Sequence, residues 1–195
     1  IATSLTDARA VEKLKKMGVR VVVFRQAKDF AEICRQFFDL GEIVGKKGEA
    51  EAIVLKAQKE MDCVKEKVST LARPTVFVQV GAKPLVTAGA GSFINSLIES
   101  AGGVNVAGNL NGPAYMPYSR EKALEADPDH IIIVTMGLAG EKEKCGWEAF
   151  KNLKAVKNKN IHIIDSDKFC SLTPVTFVEA LEEMAALLHP GIRLE

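Results

Sequence analysis

The sequence has few aromatic residues and no excess of either charge. Aromatic side chains make up 6% of the 195 residues, with a single tryptophan and two tyrosines. Lysine and arginine number 26 against 25 for aspartate and glutamate, so the net charge of +1 gives no general attraction to nucleic acid or to an anionic membrane. No apolar run approaches the length that crosses a bilayer. We predict a chain with no membrane span and no nucleic-acid partner.

The cysteines and histidines lack the spacings of metal sites and catalytic sets. Cys34, Cys63, Cys145 and Cys170 include no C-x-x-C pair, and the three histidines have no H-x-x-H spacing. Cys145 and Cys170 each follow a predicted strand and could approach one another, although two separate thiols are the simpler interpretation. We predict no catalytic residue, no metal site and no resident cofactor.

The first 45 residues predict only part of an α/β unit. Residues 1–4 resemble the end of a strand, and an amphipathic helix over 7–17 leads to a strand over 19–24. The β-branched composition of 19–24 is typical of a parallel strand buried on both faces. A second helix follows over 29–40, with Phe30, Ile33, Phe37 and Leu40 forming one apolar stripe. Because two strands cannot form a stable sheet, we expect that either a partner supplies further strands or they have been cut off.

A single helical pattern runs over 46–72 until Pro74 ends it. This length is unusual for a small globular domain, so we interpret the helix as a connection that holds two lobes apart. The predicted domains are an N-terminal α/β remnant over 1–45, a connecting helix over 46–73 and a C-terminal α/β lobe over 74–195.

The C-terminal part alternates strands and helices, which is typical of a parallel-rich sheet covered by helices. The predicted strands are 76–80, a short one near Asn105, 131–134 and 161–164, and the predicted helices are 92–100, 119–126, 147–153 and 174–188. Open parallel sheets bind ligands at the carboxyl ends of their strands, where this sequence has small and polar loops. We therefore predict a binding cleft there.

The glycine-rich loop contains Gly89, Gly91, Ser92 and Phe93 and partly matches a dinucleotide-binding motif. The third glycine is missing, and no acidic residue ends the next strand. The other interpretation is a tight turn in which Ser92 caps the following helix. Under either interpretation the loop is a candidate for the wall of the cleft.

Five other residues are candidates for ligand contact. Tyr115 and Met116 follow a polar loop and could form a wall for a large planar ligand. Trp147 either reaches the cleft or packs in the core as part of a short helix. Phe169 and Thr173 are candidates by position alone, since they follow the last predicted strand.

Four segments in a fixed order carry a resemblance to a known family. They are RPTVFVQVGAKPLVTAGAGSFINSLIESAGGVNVA, YMPYSREKALEADPDHIIIV, WEAFKNLKAVKNKNIHIID and VEALEEMAALLHP. Together with the long helix before them, they resemble the solute-binding proteins of bacterial ABC importers for vitamin B12, haem and ferric siderophores. The resemblance implies an α/β fold with two Rossmann-like lobes joined by one long helix, and a ligand held between the lobes.

The resemblance also implies roles for individual residues. Glu121, in the first turn of a helix capped by Ser119, is similar in position to the glutamate that docks onto the permease. Tyr115 matches an aromatic residue that lies over the ligand, and residues 89–93 match a cleft-lining loop. The segment with Leu172 and Thr173 carries no arginine where many members have one, so a carboxylate-rich ligand such as haem gains no obvious partner there.

The chain starts where the family has its third or fourth strand, which implies an incomplete N-terminal lobe. We expect an N-terminally truncated chain whose full-length form is extracytoplasmic, in the periplasm or as a membrane-anchored lipoprotein. The apolar edges of residues 19–24 would then be exposed and would favour association of two copies.

Three functions are compatible with these patterns. The first is a non-enzymatic receptor that captures an iron siderophore, haem or corrinoid and delivers it to ABC permease subunits. The alternative is a nucleotide-dependent α/β enzyme that uses the loop from Gly89 to Ser92 for phosphate. The third is a sensor domain with the same fold.

Overall fold

The computed structural model describes residues 1–3, 6–110, 112–134, 140–166, 169 and 172–194. The strands in these residues are β1 Ala2–Thr3, β2 Val23–Phe24, β3 Thr75–Gln79, β4 Gly81–Ala82, β5 Leu85–Ala88, β6 Val104–Asn105, β7 Tyr115–Pro117, β8 His130–Val134 and β9 Ile161–Ile164. The helices are α1 Ala8–Lys16, α2 Phe30–Ile43, α3 Lys47–Val68, α4 Phe93–Ser100, α5 Arg120–Glu125, α6 Gly140–Glu148, α7 Lys154–Lys157 and α8 Pro174–Leu188.

The central sheet has the strand order β6-β3-β8-β9, and all its neighbours are parallel. Both faces of β8 are covered, and all five of its residues are buried. Unbroken apolar runs such as Ile131 to Val134 are typical of parallel strands packed on both sides. The four strands predicted in this part of the chain are confirmed, and so is the mixed α/β class.

A second, antiparallel sheet has the order β4-β5-β7 and was not predicted. Residues 87–88, expected in a loop, belong to β5, and Tyr115 and Met116 pair with it as part of β7. These strands are too short for a clear two-residue period, and β7 pairs with a partner far away in sequence. We call β5 and β7 the antiparallel ribbon.

The N-terminal strands form a two-stranded parallel pair, β1-β2. The prediction of a strand over 19–24 buried on both faces is wrong, because only Val23–Phe24 is a strand. Val19 is 47% exposed and Val23 is 42% exposed. Within the described residues only β1 pairs with β2, and the neighbouring helix α1 buries only Val11, so little covers these side chains.

Helix α3 is unbroken over Lys47–Val68. It packs along α2 and α8, and buried residues of all three helices belong to one hydrophobic cluster with β3, β8 and α4. The Phe30 ring of α2 lies 5.0 Å from the Phe177 ring of α8. The apolar stripe of α3 is thus long enough to pack on both neighbours, and its role as a connection between two lobes stays a prediction. The predicted domain bounds stay a prediction.

The helix predicted over 147–153 is also wrong. The charged run at 141–144 is part of α6, in which Gly140 and Trp147, seven residues apart, are buried. Seven residues are two helical turns, so these residues share one face. None of the helices in the described part of the chain is long and apolar enough to cross a membrane.

Two glycines and one asparagine fix the backbone around β6, at the edge of the central sheet. Gly102 has φ of +78° and Gly103 lies where a Cβ atom would be 2.8 Å from Leu188 Cδ1. A larger residue at Gly103 would therefore clash with the core. Asn105 Nδ2 donates to Ala88 O at 2.8 Å and to Asn95 Oδ1 at 2.9 Å. These contacts connect β6, β5 and α4.

Candidate functional site

A cleft of about 420 Å³ lies between the N-terminal strands with α2 and the first turns of α4 and α8. The lining residues are Ile1, Thr3, Phe24, Arg25, Gln26, Ala27, Ile33, Gln36, Phe37, Leu40, Phe93, Leu172, Thr173 and Pro174. Its size is within the range of small-molecule sites in proteins.

The cleft wall is mainly apolar and holds three aromatic rings. Phe24 and Phe37 come from the N-terminal side, and Phe93 comes from the opposite side at the start of α4. Flat apolar side chains supply large contact area for a planar or hydrophobic ligand at little entropic cost. The arrangement suits a bulky ligand gripped between two walls.

The C-terminal wall of the cleft consists of Phe93, Leu172, Thr173 and Pro174. Capped N-termini of α4 and α8 support this wall. Ser92 Oγ donates to Gly89 O at 2.7 Å and accepts from Asn95 N at 3.2 Å. Thr173 caps α8 in the same way, with Thr176 N donating to Thr173 Oγ1 at 3.2 Å, and Pro174 occupies the first turn. Caps of this kind satisfy the first N–H groups of a helix and fix the chain entering it.

Two of the predicted ligand-binding residues, Phe93 and Thr173, line the cleft on the same wall. Gly89, Gly91 and Ser92 lie in the turn behind Phe93 and do not line it. Gly89 N donates to Ala114 O at 2.9 Å, and Ser92 N donates to Gly89 O at 3.1 Å. Two N–H groups of the turn are therefore already used within the protein.

Tyr115 and Met116 lie on the antiparallel ribbon rather than in the cleft. Tyr115 is half-buried against the main core. Met116 packs on Gly89 so closely that a Cβ atom there would be 2.6 Å from Met116 Cε. The ribbon therefore brings Gly89, Tyr115 and Met116 together as a group separate from the cleft.

Trp147 and Phe169, two of the predicted ligand contacts, are buried and do not line the cleft. Trp147 has no exposed surface and Phe169 is 1% exposed. Trp147 packs on Phe77 with ring centroids 5.5 Å apart, and Phe169 belongs to the main hydrophobic cluster. Their side chains are enclosed by the core, and contact with a ligand stays a prediction for both.

Sequence reasoning missed the N-terminal wall, chiefly Phe24, Arg25, Phe37 and Leu40. One signal could have found part of it. The residues Phe30, Ile33, Phe37 and Leu40 were predicted to form one apolar stripe on α2, and only the first two of them are buried. The stripe continues past the core and into the cleft.

Glu121 is exposed in the first turn of α5, away from the cleft. Ser119 Oγ donates to Glu121 Oε2 at 2.6 Å. This hydrogen bond, helped by a backbone N–H and the charge of Arg120, lowers the pKa of the Glu121 carboxyl. The residue therefore presents a fixed negative charge at the surface.

Metal-binding clusters are absent from the residues that the structure describes, since none of their histidine, cysteine and acidic side chains form a group of three or more around one point. Cys34, Cys63 and Cys145 are free thiols, and burial raises the pKa of Cys34 to about 11. Cys170 lies outside the described residues, so a bond to Cys145 stays untested.

The described residues form a parallel α/β core, a long helix packed on it and a cleft lined by aromatic rings. The sequence profile of the periplasmic binding protein family matches residues 1–168, and the chain belongs to that family. The relatives described next are binding proteins by name and not enzymes.

Two curated relatives are each 25% identical to this chain. One is an uncharacterized ABC transporter substrate-binding lipoprotein, YvrC, of Bacillus subtilis (strain 168), aligned over 94% of this chain and 58% of its own length. The other is a cobalamin-binding protein of Halobacterium salinarum (strain ATCC 29341 / DSM 671 / R1), aligned over 97% of this chain and 52% of its own. The chain thus spans little more than half the length of these relatives.

Solved structures share the fold. The apo periplasmic heme-binding protein RhuT from Roseiflexus sp. RS-1 superposes with a TM-score of 0.85 at 16% identity, covering 98% of this chain and 75% of that one. An ABC transporter substrate-binding protein from Listeria monocytogenes EGD-e gives a TM-score of 0.80 at 24% identity, covering 96% and 74%. At these identities the likeness establishes the fold.

Proposed function

We propose that this chain is the ligand-capturing part of an extracytoplasmic substrate-binding protein of an ABC importer, and that its cargo is an iron chelate, haem or a corrinoid. The observation that carries the proposal is the aromatic cleft, in which Phe24 and Phe37 face Phe93 across a gap in a periplasmic-binding fold. Relatives named as a cobalamin-binding protein and a substrate-binding lipoprotein support the cargo class and the location.

The side chains that line the cleft also suit the chemistry of this cargo. Corrinoids, porphyrins and many ferric chelates present broad faces with mixed apolar and polar edges. A wall of phenylalanine and leucine side chains removes apolar area from water on such a face, at roughly 25 cal/mol per Å². Gln26 and Gln36 add neutral hydrogen-bonding groups at the same site. The used N–H groups of the turn at Gly89 count against the alternative of a nucleotide enzyme.

Replacing Phe37 by alanine is expected to weaken binding of the cargo by about ten-fold or more, because a ring that packs on the ligand is lost. Purified protein is titrated with cyanocobalamin, iron protoporphyrin IX and ferric siderophores, followed by visible absorbance, with ATP and NAD as comparison ligands. Phe38→Ala is the matched control, since Phe38 is the next residue on α2 and is half-buried but does not line the cleft.

Binding of at least one chelate, with loss in Phe37→Ala and near-normal affinity in Phe38→Ala, supports the receptor. Tight binding of ATP or NAD with no chelate binding contradicts it and restores the enzyme alternative.

We further propose that Glu121 docks onto a cationic residue of the permease, where its fixed and exposed carboxylate would form an ion pair. Glu121→Ala is expected to lower uptake of the bound chelate by about ten-fold in vesicles that contain the importer, with ligand affinity unchanged. Glu125→Ala removes a like charge from the same exposed helix and is expected to leave uptake near normal. Equal uptake by all three proteins would remove Glu121 from the docking surface.

A further inference from the structure

A second cavity, of about 320 Å³, lies between α6, α7 and the start of β9. Among the described residues that line it, three are lysines, Lys144, Lys151 and Lys159, and one is acidic, Glu148. It shares no lining residue with the aromatic cleft. We call it the lysine cavity.

The three lysines form no ion pair or side-chain hydrogen bond within the described ranges of the chain. Three neighbouring acidic side chains are held by other cations. Glu143 pairs with Arg120 at 3.4 Å, and Asp127 and Asp129 lie 3.8 Å and 3.9 Å from Lys154 Nζ. Positive charge therefore exceeds negative charge around the cavity, although the net charge of the whole chain is only +1.

The walls of the lysine cavity are partly buried. Lys144 and Glu148 are both half-buried, and their spacing of four residues on α6 places them on one face of that helix. Burial and the charge of Lys144 lower the pKa of His162 on β9, which indicates that this ammonium group lies near the sheet. Ala155 and Ile161 are buried and add apolar surface to the same cavity.

Several lysines around one cavity favour a particular ligand chemistry. A lysine ammonium is a compact charge that donates hydrogen bonds in several directions, whereas the planar guanidinium of arginine matches a flat carboxylate. A phosphate ester presents its charged oxygens around a tetrahedral centre, so ammonium groups from different walls can donate to it together. The volume of the cavity also leaves room for a small organic group beside the phosphate.

We propose that the lysine cavity is a binding site for a phosphate ester, whose carbon chain lies against Ala155 and Ile161. The phosphate belongs either to a soluble ester or to the headgroup of an anionic lipid, since both present the same chemistry to the lysines. The inference is independent of the proposed function, because the cleft and the lysine cavity have separate walls.

Two arms of one experiment distinguish these sources. In the first arm the chain is titrated with glycerol 3-phosphate by calorimetry in low-salt buffer, with glycerol as the uncharged comparison. In the second arm it is sedimented with vesicles of phosphatidylcholine that contain phosphatidylglycerol, or with vesicles of phosphatidylcholine alone. The variants are Lys144→Gln and Glu148→Gln. Their controls are Lys142→Gln and Glu141→Gln, at exposed residues of the same helix that do not line the cavity.

In the arm that shows binding, Lys144→Gln is expected to weaken it by about ten-fold, because one charge-assisted hydrogen bond is lost. Glu148→Gln is expected to strengthen binding by about three-fold, because it removes the one negative charge of the cavity wall, and both controls should stay within about two-fold of wild type. Lys151→Gln, at an exposed residue of the same cavity, repeats the test if Lys144→Gln does not fold.

Binding of glycerol 3-phosphate alone, with this dependence on Lys144 and Glu148, supports a site for a soluble ester. Binding to the phosphatidylglycerol vesicles with the same dependence supports a site for a lipid headgroup. No binding in either arm, or equal weakening by Lys142→Gln and Lys144→Gln, overturns the inference and leaves the receptor function standing.

Discussion

Trp147→Ala is expected to lower the free energy of unfolding by about 4 kcal/mol, which is a large fraction of the stability of a typical domain. The ring has no exposed surface, lies edge-on to Phe77 and has the Arg120 guanidinium 4.4 Å from its centroid. Truncation therefore leaves a cavity that the surrounding core cannot fill.

The same change also breaks a buried hydrogen-bond chain. Trp147 Nε1 donates to Gln79 Oε1 at 2.6 Å, and Gln79 Nε2 donates to Glu143 Oε2 at 2.8 Å. Arg120 Nη2 lies 3.4 Å from the same Glu143 oxygen. Without the indole N–H, the fully buried Gln79 oxygen has lost its donor, at a cost of about 1–3 kcal/mol.

Urea unfolding followed by far-UV circular dichroism measures the effect, since the variant has no tryptophan fluorescence. Trp147→Phe keeps most of the ring volume and loses the N–H donor, so its stability should lie between that of wild type and that of Trp147→Ala. Leu55→Ala, at a residue that is 56% exposed on α3, should stay within about 1 kcal/mol of wild type. A Trp147→Ala protein as stable as Leu55→Ala would show that the ring is not held as described.

Acidification from pH 6.5 to pH 4 is expected to reduce the free energy of unfolding by about 3 kcal/mol through one buried histidine. Burial, helped by the charges of His162 and His189 and opposed by that of Asp129, lowers the pKa of His130 to about 4. The unfolded chain takes up its proton near pH 6.5, and the folded chain does not do so until near pH 4. The contribution of the neutral His130 to stability is therefore fully present above pH 6.5 and is lost as the pH falls from 6.5 to 4.

The groups around His130 also affect how stability depends on pH. Its ring stacks on His162 with centroids 5.6 Å apart, and the Nδ1 of His130 and the Nε2 of His162 have no hydrogen-bond partner within the described structure. Burial and the charge of Lys144 also lower the pKa of His162, which adds a loss in the same direction. Two hydrogen bonds from Thr75 keep the pKa of Asp129 below its ordinary value, so Asp129 contributes only at still lower pH.

Urea unfolding at half-unit pH steps gives the slope directly. His130→Gln should reduce the slope between pH 6.5 and 4, whereas His189→Gln should change it only slightly, because the charge of His189 is the smallest of the influences on the pKa of His130. A slope that is the same in His130→Gln and wild type would assign the acid sensitivity to other groups.

The sequence was sufficient where structure is decided locally. The apolar runs of β3, β8 and β9 mark buried parallel strands without any partner information, and Thr173-Pro174 marks the start of α8. The stop at Pro74 likewise separates α3 from the sheet.

The sequence was insufficient where the structure depends on contacts between segments that are distant in sequence. The antiparallel ribbon pairs residues near 86 with residues near 116, and no local pattern encodes that register. The exposure of Phe37 depends on where α2 meets α8, so a residue with core-like spacing became part of the cleft wall. Trp147 is the opposite case, because α6 turns it towards Gln79 and away from the surface.

A crystal structure of the chain with the tightest-binding chelate tests most directly whether the cleft is the ligand site. We expect the chelate to lie in the cleft, in contact with Phe37 and Phe93. A chelate bound instead against Tyr115 on the antiparallel ribbon, with the cleft empty, would contradict it.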